Sequence, residues 1–518
     1  MSMRAWLLPR WSELVQAFSA NILEAALQIR IRRVIIFFRA IFQSDIVYRR
    51  KTEEFIVEDK QKIMLFEQLP IPKAVVKLAV PTILSSLVTV LYNLADTYFV
   101  GMLNNSVQNA AVTLAAPLIL AFNAVNNLFG VGSSSMMSRA LGSRDYETVH
   151  RSSAFGFYCS VFFGLMFSLL YLVFQGPILT LLGADATTAE ATAAYLRWTV
   201  ACGAAPTILN VVMAYLVRAE GAALHASIGT MSGCILNIIL DPIFILPWGL
   251  NMGAEGAGLA TFLSNCVACM YFFVLLYVKR KSTHVCIKPS MFSLNGKIVR
   301  GVCGVGIPAA IQNLLNVTGM TVLNNFTSSY GSEAVAAMGI TQKINMVPMY
   351  VAMGLSQGIM PLISYNYASG NIPRMKKTLT FSAKISVTFL AIVAAGYYMG
   401  AGFLTSMFMK NEAIVAYGTQ FLRGFCLGLP FLCIDFLAVG VFQAVGLGKN
   451  AFIFAVLRKI VLEIPALFIL NWLFPLYGLA YAQFAAEIIL AVAAVVVLVR
   501  LFKRLEKGKS AEKELDMD

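Results

Sequence analysis

The sequence predicts an all-α polytopic membrane protein: twelve transmembrane helices in two pseudo-symmetric six-helix bundles. Three observations predict it, namely a composition too apolar for a soluble core, twelve recurring apolar runs, and a repeat relating the first half to the second. Of 518 residues, 58% are apolar and 13% charged, with a mean hydropathy of +0.74. A soluble domain is about 45–50% apolar and about 25% charged. Lipid must therefore cover the excess.

Each crossing of a bilayer takes roughly 20 predominantly apolar residues. Such runs fall at 75–101, 110–137, 152–175, 191–217, 224–249, 256–278, 300–327, 334–364, 379–405, 415–444, 451–473 and 478–502. The loops between them sort by charge. Arg139, Arg144 and Arg151 follow the second run, Arg218 the fourth, and Lys279, Arg280, Lys281, Lys288, Lys297 and Arg300 the sixth. Arg374, Lys376 and Lys377 follow the eighth, Lys449 the tenth, and Arg500, Lys503 and Arg504 the last. The opposite loops carry almost no Arg or Lys. Basic loops stay in the cytoplasm, which places the chain in the inner (plasma) membrane with both termini cytoplasmic. The same bias accounts for the net charge of +14 without a nucleic-acid partner.

The halves repeat. Pro81 aligns with Pro308, Gly142-Ser-Arg-Asp145 with Ala368-Ser-Gly-Asn371, and Tyr195-Leu-Arg-Trp198 with Phe421-Leu-Arg-Gly424. Further on, Arg218-Ala-Glu-Gly221 aligns with Gln443-Ala-Val-Gly446 and Gly258-Leu-Ala260 with Gly478-Leu-Ala480, the offset drifting from 227 to 220. Each half holds an even number of crossings, so the repeat is parallel, and transporters commonly place substrate between such halves. The expected organisation is an N-terminal extension over 1–70, a six-helix bundle over 71–279, a cytoplasmic linker over 280–299, a second bundle over 300–504 and a tail over 505–518. For the extension two readings stand: an amphipathic helix on the membrane surface, or an upstream start codon with Met64 as the natural beginning.

The nine cysteines lie mostly inside apolar runs. Cys266-Val-Ala-Cys269 lacks the second pair or histidine a zinc site needs, so all nine read as small buried hydrophobes. Nothing marks a nucleophile, a phosphate loop or a catalytic cluster; the chain is expected not to be an enzyme, to need no cofactor beyond a coupling ion, and to work as a monomer.

A carboxylate at the bilayer centre costs about 2.5–3.5 kcal/mol on insertion scales, so acids within spans are functional candidates. They are Asp96, Asp241, Asp435, Glu463 and Glu487. Asn93 and Asp96 lie three apart on one helix face, as do Asn237 and Asp241 at one turn's spacing. Pro242 removes a backbone N–H and would leave the carbonyls of Asn237 and Ile238 free. These oxygens suit a hard cation, and paired carboxylates suit a proton equally well. Glu463 has Lys459 one turn before it as a partner.

Together, Leu91-Tyr-Asn-Leu-Ala-Asp-Thr-Tyr-Phe-Val-Gly101, Gly142-Ser-Arg-Asp145, Arg218-Ala-Glu-Gly221, Asn237-Ile-Ile-Leu-Asp-Pro242 and Gly253-Ala-Glu-Gly-Ala-Gly-Leu-Ala260 resemble the multidrug and toxic compound extrusion (MATE) family, in its branch of bacterial multidrug exporters. The resemblance covers roughly 65–504 and rests on the order of these motifs. It implies a drug antiporter driven by Na⁺ or H⁺, with the cation held in the first bundle by Asp96, Asn237, Asp241 and Thr261. Asn93, Asp435 and Glu463 stand as secondary candidates; Asp435 lies about one turn from the second-bundle acids that some members use. The expected partners are small amphipathic cationic substrates and membrane lipid. The alternative is a flippase for a lipid-linked sugar or peptidoglycan precursor, which would gather cations such as Arg197, Lys343, Arg423 and Arg458 around a central cavity.

Overall fold

A computed structural model of the chain describes residues 63–103 and 105–515, with side chains as far as Lys507. The segment where the sequence leaves a surface helix or an upstream start open lies outside the described residues as far as residue 62. Among the described residues there is no strand.

Nine helices among the described residues are long and apolar enough to cross a membrane: α1 (Ile71–Gly101), α2 (Ser106–Gly142), α3 (Tyr146–Val173), α5 (Ala223–Ile245), α6 (Gly253–Val278), α7 (Gly296–Ser328), α8 (Ser332–Ala368), α9 (Ile372–Ser406) and α12 (Gly478–Lys507). Two more crossings are bent pairs. α4 joins Ala189–Cys202 to Ala204–Ala219 at 49°, and α10 joins Glu412–Leu427 to Leu429–Val445 at 45°. Both breaks fall at a glycine, Gly203 and Gly428, with Pro206 or Pro430 just beyond; a missing side chain and a missing N–H donor are the usual causes of a sharp kink. The twelfth, α11, runs from Gly448–Val456 through a π-helical turn at Leu457–Glu463 to Ile464–Leu473. Its middle carries Arg458, Lys459 and Glu463, too polar for a lipid-facing span.

Caps, rather than hydropathy, set the helix ends, so several helices outrun the apolar runs. Asp145 starts α3 by accepting from Thr148 N at 3.0 Å, and Asn371 starts α9 by accepting from Arg374 N at 3.2 Å; these are the repeat-matched positions. Hydrogen bonds from the Thr148 hydroxyl and backbone amide hold the Asp145 carboxyl below its ordinary range. Gly221 and Gly446, also matched, turn the chain at φ +87° and +84°, where a side chain would strain the backbone. Ser138 donates to Ala219 O and Ser364 to Ala444 O, each at 2.9 Å. The two halves thus repeat down to single hydrogen bonds. Outward faces are apolar: Phe162, Leu165, Leu169 and Leu172 line one exposed stripe of α3, as lipid-facing residues should.

The bundles meet along α1 with α8 and α2 with α7. The contacts concentrate on the face that carries the basic loops, and small residues allow them. A side chain at Gly358 would strike α1 at Ala79, one at Gly132 would strike Val302, and one at Gly306 would strike the carbonyl of Leu128. Hydrogen bonds gather on the same face. Arg374 donates through Nε to Phe66 O and through Nη2 to Leu69 O, both at 2.6 Å, and Tyr365 donates to Glu67 at 2.7 Å. Arg139 reaches Gln443 O and Ala444 O at 3.4 Å. The linker between the bundles is strapped onto the first: Tyr158 donates to Ile287 O at 2.8 Å, and the Phe292 ring stacks on Phe155.

The second bundle encloses an ion-pair network. Arg458 lies 2.7 Å from Glu487 and 3.5 Å from Asp435, and Lys459 lies 2.6 Å from Glu463. All five are buried. Removing one partner of a buried pair strands the other, at roughly 3–5 kcal/mol. Arg458→Met is therefore expected to lower the melting temperature sharply, and adding Asp435→Asn and Glu487→Gln to recover most of it. A triple variant no more stable than Arg458→Met alone would contradict this account. At the bundle boundary, Gly306→Ala should destabilise by roughly 1–3 kcal/mol through overpacking. Gly304→Ala, two residues away with nothing within 4 Å of the added carbon, should melt as the unaltered chain does; equal melting of both variants would sink the close-approach argument.

Candidate functional site

The candidate site lies where α5 packs along both α1 and α6. Helical spacing puts Asn237 and Asp241 on one face of α5, and that face points inward: Asp241 is 0% exposed and Asn237 2%. α5 runs unbroken through Pro242 to Ile245, so the proline leaves the helix continuous.

The carboxamide of Asn237 sits between Asp241 and Thr261. In one orientation its Nδ2 donates to Thr261 Oγ1 at 3.3 Å. In the other it donates to Asp241 Oδ2 at 2.9 Å while Oδ1 accepts from Thr261 N at 3.1 Å; amide orientation is assigned from such networks. Asp241 Oδ1 is buried without a hydrogen-bond partner among the described residues. Asp96, half-buried on α1, shares an electrostatic neighbourhood with Asp241. The structure therefore brings Asp96, Asn237, Asp241 and Thr261 together from three helices.

Two tyrosines join them that sequence reasoning passed over. Tyr92, one turn before Asp96, lies near Thr261, and Tyr195 of α4, 4% exposed, lies near both Asp96 and Asp241. A signal for Tyr195 was present, since the matched residue in the second half is Phe421. Behind the site, Asn265 Nδ2 donates to Thr261 O at 2.9 Å and to Thr207 Oγ1 at 3.0 Å, and Asn210 Nδ2 donates to Asn265 Oδ1 at 2.6 Å. This layer ties α6 to α4 just past the bend at Gly203.

The secondary candidates lie elsewhere. Asn93 is exposed and donates back to Thr89 O at 2.9 Å. Asp435 and Glu463 belong to the ion-pair network of the second bundle.

The repeat sharpens the contrast. Matching Pro242 to Pro465, an offset of 223 within the drift already noted, aligns Asn237 with Ile460 and Asp241 with Ile464. Asp96 then aligns with Leu323 and Thr261 with Tyr481. The second half replaces Asp96, Asn237 and Asp241 with apolar side chains, and its matched helix passes through a π-helical turn at Leu457–Glu463 where α5 is regular.

Comparison with known proteins agrees with this architecture. The MatE family model matches twice, over residues 81–243 and 308–469, one match per half. The multidrug export protein MepA of Staphylococcus aureus (strain MRSA252) is 34% identical over 448 residues, spanning 86% of this chain and 97% of its own length. MepA of Staphylococcus haemolyticus (strain JCSC1435) is 34% identical over 459 residues, 88% of this chain and 99% of its own. A solved structure described as the outward-facing conformation of a multidrug resistance MATE family transporter superposes with a TM-score of 0.81 at 25% identity, covering 86% of this chain and 99% of that one. Two family matches in register with the internal repeat, and relatives aligned over nearly their full length, carry one conclusion: this chain belongs to the MATE family of membrane transporters.

Proposed function

We propose that the chain exports small amphipathic organic cations across the plasma membrane in exchange for Na⁺ or H⁺, taken up at Asp241 with Asp96. The observation that carries this is Asp241: a carboxylate with no exposed surface, one oxygen without a donor among the described residues, inside a membrane span. A charge in that position is costly unless something neutralises it. Asn237 and Thr261 add neutral oxygens and Tyr92 and Tyr195 hydroxyls, a donor set suited to one monovalent hard cation and, through the paired acids, to a proton.

The cycle follows from compensation. One bound monovalent ion offsets one of the two acid charges; without it, the acids attract a cationic drug, so ion and drug compete and favour opposite states of the two-bundle equilibrium. On this reading the basic-loop face, where the bundles are joined, is cytoplasmic. The named relatives being multidrug exporters supports the drug as cargo.

The lipid-linked-precursor alternative needs converging cations, and they do not converge. Arg458 is engaged by Glu487 and Asp435, Arg423 lies over the Tyr398 ring, and Arg197 and Lys343 are exposed on different helices.

Asp241→Asn is expected to abolish dye efflux from reconstituted vesicles while the protein still folds and inserts. Retained efflux would overturn the assignment. In the unaltered protein, an imposed sodium gradient or an imposed pH gradient should each be tried alone. Efflux under one identifies the coupling ion, and efflux under neither defeats antiport.

A further inference from the structure

Buried charges in proteins are paired or otherwise compensated, and Arg218 breaks that rule. It sits in the last turn of α4 and is 7% exposed. Its Nη1 meets a neutral acceptor, Gln357 Oε1 of α8, at 3.4 Å, and its guanidinium lies 5.5 Å from the Tyr215 ring centre. Its Nε is buried without a hydrogen-bond partner among the described residues. Among the described residues no carboxylate forms an ion pair with it. Glu220, two positions on, faces the linker instead, accepting from Thr283 Oγ1 at 3.0 Å and His284 N at 2.7 Å. The carbonyls ending α4 favour a cation nearby, but that attraction is too weak to offset burial of a full charge.

Beside the guanidinium lies a cavity of about 10 Å³, which Arg218 lines with Ser134, Ser138, Tyr215, Gln357 and Met360. The space has room for about one water-sized guest and no drug headgroup. We infer that this pocket binds a small monovalent anion of the chloride kind, held by the Arg218 guanidinium.

The repeat supports a role beyond architecture. At the matched turn the second half carries Gln443 for Arg218 and Val445 for Glu220, yet makes the same left-handed glycine turn and the same serine-to-carbonyl bond. The backbone is thus built equally well with neutral residues. The walls come from both bundles, Arg218 and the serines from the first, Gln357 and Met360 from the second. A bound anion therefore favours the packing in which the bundles are joined on the basic-loop face, and parting them releases it; the coupling is reciprocal. None of this depends on the carboxylate site.

The test uses the purified full-length protein, melted in sodium chloride, sodium bromide and sodium gluconate at equal sodium concentration. Chloride and bromide should raise the melting temperature by a few degrees over gluconate. Arg218→Gln, which installs the residue of the second half, should melt alike in all three salts, and Arg218→Lys should keep part of the shift. Equal melting of the unaltered protein in chloride and gluconate overturns the inference, as does a full shift in Arg218→Gln. Should Arg218→Gln fail to fold, bromide-soaked crystals of the unaltered protein decide: an anomalous peak beside Arg218 supports the site, and water alone there overturns it.

Discussion

The structure depends throughout on one constraint: inside a medium that solvates charge poorly, an ionised side chain must find its counter-charge within reach. A soluble protein can send an awkward carboxylate to the surface. Here the surface of most spans is hydrocarbon, so the choice narrows to a partner in the protein or one that comes and goes. The placement of acids and bases among the twelve helices follows from which solution each bundle adopts.

The second bundle compensates most of its charge internally, with two bases against three acids, although Asp435 accepts no hydrogen bond among the described residues. Asp435, Glu487 and Arg458 form one cluster and Lys459 with Glu463 another, supplied by α10, α11 and α12. The π-helical turn of α11 carries both bases and Glu463, placing three charges of a short segment inside the bundle. The first bundle leaves its interior acids with neutral company: an amide, a threonine and two tyrosines. That asymmetry separates a scaffold from a site that an exchangeable cation could complete.

The inter-bundle contacts obey the same logic of small groups and capped carbonyls. Glycines at 132, 306 and 358 let helices approach to backbone distance, and Arg139 and Arg374 satisfy carbonyls that helix ends leave open. The same boundary is also apolar, the buried core running without a break from Leu78 and Ala79 of the first bundle to Leu355, Ile359 and Leu362 of the second.

Hydropathy, loop charge and the repeat, all read from sequence, determined the helical class, the twelve crossings and the kinship of the halves, because lipid imposes its length and polarity on each crossing independently of the others. Asn237 and Asp241 were legible as a pair for the same reason, their spacing being set within one helix. Three things required the tertiary structure. Tyr92 and Tyr195 complete the site only because α1 and α4 converge on α5 and α6. Asp435 and Glu487 proved to share Arg458, a residue that the sequence offered as a free cation. Arg218 counted at first as one more basic loop residue, and only its burial against α8 revealed a charge without a carboxylate partner among the described residues. Contacts between helices arise from packing across hundreds of residues, and no local pattern encodes them.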